Sequence, residues 1–394
     1  MRIGIDARFY GEAGPGRYVA NLLRHLEKID RDNEYFIFLT KEGFGSYQPR
    51  NPRFQKVLAD FRWYSPAEQF VYPWLLYRFQ LDLVHFAQFN LPVLYFRPYV
   101  VTIHDMIMHQ YPPRRGTLRH RFLFPLRFSI YKFVFKWAAQ RARHILVPSE
   151  DACADLVELL QIPAGKITVT HEGVGLGVNS KVKAPPATPC KQGLHGGRGQ
   201  NSKLSKYGIS KPYLLFVGSM YPHKNLERLI EAFKIVRDEY GYRGQLVLAG
   251  KESFFSEKLR QGTKRQGLED AVLFPAARVG RYLTDQEMAL FYSQAELFVF
   301  PSLKEGFGIP PLEAMAAGVP VAASSESCIP EVCGKAALYF DALDVKDIAE
   351  KIHEGLTDQK LREKLIEAGF RNVKRFSWEK MARQTLKVYQ GVVF

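Results

Sequence analysis

The sequence EGFGIPPLEAMAAG, residues 305–318, joins a short apolar run to an amphipathic segment. The run before it, Leu297–Pro301, is uniformly apolar, as in a strand of a parallel sheet that is covered on both faces. Pro311 and Glu313 are typical of the first turn of a helix, and Gly318 is placed to end it. We predict a strand, a glycine loop and a helix, an arrangement that presents backbone N–H groups to an anion.

The same alternation of strands and helices extends over most of the chain. Capping boxes at Ser65–Glu68 and Thr284–Glu287 mark the starts of two helices. The other strand-like runs are Arg2–Ala7, Tyr35–Thr40, Leu83–Ala87, Tyr99–Ile103, His144–Pro148, Ile167–Thr170, Tyr213–Val217, Gln245–Ala249, Val272–Phe274 and Pro320–Ala323. We therefore predict an α/β protein with two doubly wound, Rossmann-like domains.

One segment interrupts this pattern. Residues 176–210 are rich in Gly, Pro, Ser and Lys and show no periodicity, which is typical of a linker or surface insertion. We predict an N-terminal domain over 1–175, the basic linker over 176–210, a C-terminal domain over 211–375, and a C-terminal helix over 376–394 that can pack back on the N-terminal domain. Ligands of open α/β sheets bind at the carboxyl ends of the strands.

Composition excludes several classes of protein. Of 394 residues, 46% are hydrophobic and 24% charged, so wholesale disorder is excluded. The four cysteines form no CxxC pair, and Cys328 and Cys333 are expected to be small core residues rather than redox partners. No signal peptide or membrane-spanning run is evident, so we expect a cytoplasmic protein.

The net charge of +15 is concentrated in two stretches. Residues 106–149 hold nine Lys and Arg, and residues 176–212 hold seven, with no Asp or Glu in either. A local surplus of this kind indicates an anionic partner, such as membrane headgroups, a phosphorylated substrate or nucleic acid. No RNA- or DNA-binding motif is found, so we predict no nucleic-acid partner.

Four motifs in this sequence resemble those of one enzyme family. Glu305 and Glu313, with seven residues between them, resemble the E-x7-E motif of retaining glycosyltransferase family 4, which has the GT-B fold of two Rossmann-like domains. FVGSMYPHKNL at 216–226 resembles its donor-phosphate loop, VTIHD at 101–105 its histidine strand, and GPGR at 14–17 its first glycine loop. The resemblance covers nearly the whole chain and is strongest to the mannosyltransferase-like subset.

The resemblance implies roles for individual residues. It implies that the N-terminal domain binds the acceptor and the C-terminal domain a nucleotide sugar. By resemblance, Glu313 holds the ribose, Glu305 touches the transferred hexose, and Lys224 neutralises the diphosphate leaving group. His104 would lie near the sugar, and Gly16 near the phosphates or the acceptor. The remaining implied donor-binding residues are Gly218, Ser219, Gly306, Phe307 and Gly308.

One position departs from the family pattern. Many relatives carry Arg where this chain has Ser219, and His223 or Arg281 is a candidate to supply the missing charge. GDP-mannose is the donor that the small-residue subset implies, with other GDP- and UDP-sugars open. No cofactor or metal is expected, because Lys224 and helix-terminus amides can stabilise the leaving group, and the single DxD, Asp30–Asp32, reads as a solvated loop.

The basic stretch 106–149 also interleaves aromatic residues with its cations. This pattern is typical of an interfacial segment on anionic lipid, although the aromatics could instead pack on the sheet while the cations face water. We predict a protein peripheral on the inner face of the cytoplasmic membrane, with Arg119, Arg127 and Lys136 at the lipid surface.

Two other functions fit a GT-B fold. One is an epimerase or phosphorylase, against which the E-x7-E spacing and the lack of a recognisable pyridoxal-phosphate lysine motif argue. The other is a non-catalytic polyanion-binding protein, against which the intact Glu305, Glu313, Lys224 and His104 argue. The leading prediction is a hexosyltransferase acting on a glycan or lipid-linked saccharide in cell-surface polysaccharide synthesis. Acceptor, linkage and oligomeric state stay open.

Overall fold

The computed structural model describes residues 1–12, 14–112, 118–175 and 203–393, with only the backbone for 118–123 and 393. Its strands are β1 Arg2–Asp6, β2 Glu34–Leu39, β3 Phe54–Leu58, β4 Leu83–Phe86, β5 Tyr99–Thr102, β6 His144–Val147, β7 Ile167–Val169, β8 Tyr213–Val217, β9 Gln245–Ala249, β10 Val272–Leu273, β11 Leu297–Phe300, β12 Val321–Ser324 and β13 Ala337–Phe340.

The helices range in length from four to 24 residues. They are α1 Pro15–Ile29, α2 Lys41–Ser46, α3 Pro66–Arg78, α4 Ile107–Gln110, α5 Leu118–Arg141, α6 Glu150–Leu160, α7 Leu226–Asp238, α8 Phe254–Arg265, α9 Pro275–Val279, α10 Asp285–Gln294, α11 Ile309–Ala316, α12 Ile329–Cys333, α13 Val345–Thr357, α14 Gln359–Asn372 and α15 Trp378–Val393. No helix in the described ranges is both long and apolar enough to span a bilayer.

The chain forms two compact units. Unit 1 comprises Met1–Gly173 together with Phe376–Phe394, and unit 2 comprises Val174–Arg375. Most of the segment predicted as a linker, residues 176–202, lies outside the described residues. Helix α15 belongs to unit 1, where it packs against α1.

Unit 1 is built on a seven-stranded parallel sheet. Its strand order is β3-β2-β1-β4-β5-β6-β7. The central strands are fully buried, whereas β3 and β7 at the edges are partly exposed. The chain builds outward from β1 to β3 and then returns to β4 on the other side of β1. The carboxyl ends of β1 and β4 therefore flank a topological switch point, where open sheets bind ligands.

Unit 2 repeats this plan with a six-stranded parallel sheet. Its order is β10-β9-β8-β11-β12-β13, so the switch point lies between β8 and β11. Leu297 of β11 pairs in register with Leu214 of β8. The loops after these two strands contain Lys224 and Glu305, which the fold therefore places at the same sheet edge.

The two predicted capping boxes have different outcomes. At Thr284 both reciprocal hydrogen bonds of the box are present. At Ser65 the hydroxyl accepts from the Glu68 N–H, but the Glu68 carboxylate does not return to the cap. It binds the Arg8 guanidinium at 2.8 Å and accepts from the Tyr64 N–H instead. Glu68 is 1% exposed, and a buried carboxylate is stabilised more by a cation than by a backbone amide.

Candidate active site

Lys224 and Glu305 form a largely buried ion pair in unit 2, with side chains 12% and 9% exposed. Lys224 ends the short 3-10 turn Pro222–Lys224 after β8, and Glu305 lies in the loop after β11. The Lys224 ammonium donates to both carboxylate oxygens of Glu305, at 2.6 Å and 2.7 Å. The Leu303 N–H donates to the His223 carbonyl, which ties the two loops together. Glu305 is thus buried against a cation rather than standing in an open loop mouth.

The glycine loop leads into α11, and few backbone N–H groups at the start of this helix are available to bind a ligand. Gly308 adopts a φ of +90°, a left-handed conformation that favours glycine, and caps the helix. Pro310 and Pro311 have no N–H, so the helix itself offers only those of Gly308 and Ile309 to an anion. An anion at the start of α11 would therefore meet only these two N–H groups of the helix.

Side chains of the turn after β12 form hydrogen bonds with the backbone of the glycine loop. The Ser327 hydroxyl accepts from the Glu305 N–H and donates to the Glu305 carbonyl. The Cys328 thiol donates to the carbonyls of Glu305 and Phe307 at 3.4 Å and 3.3 Å. Cys328 is fully buried, as predicted for a small core residue, but its contact with the loop could not be foreseen from sequence.

Glu313 lies on α11, on the buried side of the helix. The hydroxyl of Tyr292, on α10, donates to its Oε2 at 3.0 Å. Glu313 is 6% exposed and Tyr292 fully buried, so the carboxylate is held at a fixed orientation. No sequence pattern indicated Tyr292, because only the tertiary packing of α10 against α11 brings it within reach.

The proposed phosphate loop begins where two glycine backbones meet. Gly218 follows β8 and Gly250 follows β9; a Cβ on Gly250 would lie 2.0 Å from the Gly218 carbonyl oxygen. Ser219, the next residue, is half-buried. Gly250 was missed by sequence reasoning, although its place directly after a predicted strand is a usable signal.

The two candidates for an additional cation at the phosphate loop, His223 and Arg281, differ in charge. Burial and the nearby Lys224 charge lower the pKa of His223 to about 3, so this imidazole is neutral at physiological pH. The Arg281 guanidinium is bound to both carboxylate oxygens of Glu287, at 2.7 Å and 2.9 Å. The same arginine holds the pKa of Glu287 well below its usual range. Lys224 is paired with a carboxylate in the same way as Arg281, so these two side chains are charged and His223 is the neutral one.

His104 of unit 1 follows β5 and is held from three sides. Its Nε2–H donates to the Ala87 carbonyl at 3.0 Å, because a carbonyl can only accept. Its Nδ1 lies 3.3 Å from Oε1 of Glu172, so a carboxylate faces this side of the ring. The Tyr18 ring packs edge-on against the imidazole, with centroids 4.9 Å apart.

A buried hydrogen-bond chain fixes Tyr18 in turn. Its hydroxyl lies 3.0 Å from the Thr102 hydroxyl, which lies 2.8 Å from Nε2 of His85. His85 Nδ1 lies 2.6 Å from the Tyr389 hydroxyl on α15. Burial lowers the pKa of His85 to about 3, so it is neutral in the folded protein. The support of His104 therefore extends to α15.

Gly16 lies in the first turn of α1. A Cβ there would lie 2.2 Å from the Phe9 carbonyl oxygen, so the backbone itself requires glycine at this position. The structure thus places Lys224, Glu305, Glu313 and the glycine loop in unit 2, and His104 and Gly16 in unit 1.

Some aromatic residues of the basic stretch are buried against the protein, and others are exposed to solvent. On α5, Tyr131 and Phe135 are buried, whereas Phe133 is 58% exposed. Arg127 and Lys136 are exposed on the same helix. Arg119 also lies on α5, but its side chain is outside the described residues. Arg114 and Arg115 lie outside the described residues altogether.

The site and both Rossmann-like units are those of a GT-B glycosyltransferase. The family model of glycosyl transferases group 1 matches residues 201–372, and that of Glycosyltransferase Family 4 matches residues 13–177. The chain is 30% identical over 335 residues to the O-antigen chain mannosyltransferase B of Escherichia coli, covering 85% of this chain and 80% of that one. The chain therefore belongs to glycosyltransferase family 4.

Other relatives are consistent with this assignment. The O-antigen chain mannosyltransferase RfbU of Salmonella typhimurium is 26% identical over 264 residues, with 67% of this chain and 62% of that one covered. The sucrose-phosphate synthase of Thermosynechococcus elongatus has the same fold, with a TM-score of 0.72 at 20% identity over 100% of this chain and 99% of that one. The resemblance and fold predicted from sequence are confirmed.

Proposed function

We propose that this glycosyltransferase transfers mannose, with retention of configuration, from GDP-mannose to a glycan or lipid-linked saccharide in cell-surface polysaccharide synthesis. The buried Lys224–Glu305 pair carries the proposal. It sets a cation for a diphosphate beside a carboxylate for sugar hydroxyls, at the switch point of a Rossmann-like sheet. The choice of mannose is supported by the two O-antigen mannosyltransferase relatives.

The chemistry divides among the residues of the site. The bond between the anomeric carbon and the diphosphate oxygen breaks, and its electron pair leaves with the nucleotide diphosphate. The acceptor hydroxyl oxygen bonds to the same carbon and gives up its proton to an oxygen of the departing diphosphate. Lys224 and the N–H groups of Gly308 and Ile309 face the charge that develops on the leaving group, and each such donor is worth about 3 kcal/mol.

The two carboxylates hold the donor on either side of the diphosphate. Glu305 binds hydroxyls of the hexose while Lys224 turns to the phosphates, and Glu313, oriented by Tyr292, binds the ribose hydroxyls. By the family resemblance, His104, which faces the Glu172 carboxylate, is proposed to act near the sugar. Since the chain's own cation and amides supply the positive charge, turnover is proposed to need no divalent metal.

We further propose that the enzyme works at the cytoplasmic face of the membrane, where lipid-linked acceptors are held. The basic and aromatic residues of α5 support this placement, because anionic headgroups attract clustered Lys and Arg.

The test is a panel of nucleotide sugars offered to the purified protein. We expect GDP-mannose to raise the melting temperature most and to release GDP when an acceptor glycan is present. Glu305→Gln is the matched inactive control, since it removes the charge while keeping the shape. Release from another nucleotide sugar alone would contradict the mannose assignment, and conversion of the sugar without release would indicate an epimerase.

A further inference from the structure

Helix α3 of unit 1 is apolar on two opposite sides. On one side Tyr72 and Leu76 are fully buried against the sheet. On the other, Phe70 is 69% and Trp74 is 59% exposed, one helical turn apart, with Val71 beside them. A soluble helix carries polar residues on its outer face, so exposed aromatics in this arrangement indicate a further partner.

Helix α5 has the same property. Beyond its buried face, Leu126, Ile130 and Phe133 are exposed at a spacing of one turn. Because apolar residues lie on both sides, packing on the sheet cannot explain the outer stripe.

Direct contacts join the two exposed stripes. The Phe96 N–H donates to the Tyr77 hydroxyl of α3 at 2.9 Å, so the turn before β5 lies against that helix. The Arg141 guanidinium of α5 lies over the rings of both Phe96, at 5.5 Å, and Trp137, at 5.2 Å. Trp137 in turn packs on Phe133 at 5.9 Å. We call this continuous surface, marked by Phe70, Trp74, Phe96, Leu126 and Phe133, the α3–α5 face.

The face is basic as well as apolar. The three segments that form it, α3, residues 88–98 and α5, contain eight Lys and Arg and a single acid, Glu68. Glu68 is buried and paired with Arg8, so it adds no accessible negative charge. Arg78 lies over Trp74 and Arg97 over Tyr77, at 5.0 Å and 5.5 Å, with their charges beside the aromatic rings.

We propose that the α3–α5 face docks on an anionic lipid bilayer, with Phe70, Trp74 and Phe96 as the apolar anchor. The flanking cations bind the headgroups while the aromatic rings enter the interface, as both kinds of side chain prefer. The proposal rests on the proposed function only in placing the enzyme at a membrane. It differs from the sequence-based prediction in that the main apolar anchor lies on α3 rather than in the basic stretch 106–149. A lipid surface fits better than a protein because the charge is of one sign throughout.

The experiment measures binding to vesicles of phosphatidylglycerol and phosphatidylethanolamine, with phosphatidylcholine vesicles as the uncharged comparison. We expect a Phe70→Ser, Trp74→Ser double variant to weaken binding to the anionic vesicles about tenfold or more, since two aromatic anchors are removed. Leu343→Ser is the matched control, because Leu343 of unit 2 is also 59% exposed. Brominated lipid should quench a fluorescence component that Trp74→Phe removes.

Donor binding, followed as thermal stabilisation by GDP-mannose without vesicles, separates this proposal from the proposed function. Loss of vesicle binding with unchanged donor binding supports the α3–α5 face. Wild-type vesicle binding by the double variant, with no quenching assigned to Trp74, overturns it. So does a wild-type dimer in sedimentation that the double variant converts to monomer, because the face would then be covered by a second copy.

Discussion

The ammonium group of Lys224 bridges both carboxylate oxygens of Glu305, at 2.6 Å and 2.7 Å, across 81 residues of sequence. Each group compensates the charge of the other, which offsets the cost of placing the pair in a largely buried position. In the proposed function a nucleotide sugar would exchange partners with this pair, its phosphates replacing the carboxylate and its hydroxyls replacing the ammonium. The proposed donor site is therefore held in place before the donor arrives.

Breaking this pair should separate stability from catalysis. Lys224→Met leaves Glu305 as a buried, unpaired charge, so we expect the free energy of unfolding to fall by about 3–5 kcal/mol. Adding Glu305→Gln removes the stranded charge and should restore most of the stability, but not the activity. Urea unfolding and GDP release measure the two effects. Equal destabilisation by the single and double variants would show that the pair carries no such coupling.

Glu313 and Tyr292 give a graded test of ribose binding. Glu313→Ala removes a charged acceptor, and we expect nucleotide affinity to fall about ten- to hundredfold, since such bonds are worth about 1.5–3 kcal/mol. Tyr292→Phe keeps the carboxylate and loses only its orienting hydroxyl, so its effect should be smaller. Calorimetric titration with GDP measures both. Wild-type affinity in a folded Glu313→Ala protein would remove this residue from the donor site.

Local patterns predicted most of the fold. The buried parallel strands were visible because they are nearly continuous apolar runs. Strand β3 was missed because Gln55 and Lys56 interrupt its apolar residues, whereas β13 was missed although Ala337–Phe340 is apolar throughout. Sequence spacing cannot report which strands become neighbours.

The site was predicted as a set of residues but not as a set of contacts. The pairing of Lys224 with Glu305 follows from β8 and β11 being adjacent, and that of His104 with Glu172 from the order of the unit 1 sheet. The expected hydrogen bond from the Ser65 N–H to the Glu68 carboxylate is absent, because Arg8, 60 residues away, binds that carboxylate instead. Long-range contacts of this kind are fixed by topology.

The buried His85 predicts sensitivity of unit 1 to acid. Its pKa is about 3 in the folded protein against an ordinary 6.5, so between these values the unfolded chain binds more protons. Stability should therefore fall as pH drops below about 6.5, by up to about 1.4 kcal/mol per pH unit from this group. His85→Gln should flatten that slope in urea unfolding between pH 7 and pH 5. An unchanged slope would mean that other groups control acid unfolding.

Glu172 is expected to act on transfer through His104. Glu172→Gln removes the carboxylate charge 3.3 Å from Nδ1 while leaving the Ala87 contact intact. We expect kcat to fall by about tenfold with KM for the donor little changed, and the pH dependence of kcat to shift. Tyr18→Phe, which loses the bond to Thr102 but keeps the ring against His104, is the milder comparison. Identical pH profiles for wild type and Glu172→Gln would contradict the role.

Metal independence can be tested directly. If Lys224 and the amides of Gly308 and Ile309 supply the positive charge, turnover of GDP-mannose should survive excess chelator. The readout is GDP release before and after chelation, with metal added back. Loss of activity that added Mg²⁺ or Mn²⁺ restores would show that a cation is part of the site.

Helix α15 crosses back from the end of unit 2 to pack on α1 and to bind His85 through Tyr389. Residues 376–393 leave the ribosome after everything else described in this chain, at about 5–20 residues per second. Unit 1 therefore cannot complete its fold from residues 1–173 alone and must wait for α15, which follows all of unit 2 in the chain. Until then the surface of α1 that α15 covers stays open to solvent, so the N-terminal half of the nascent protein exposes a surface that the folded protein buries.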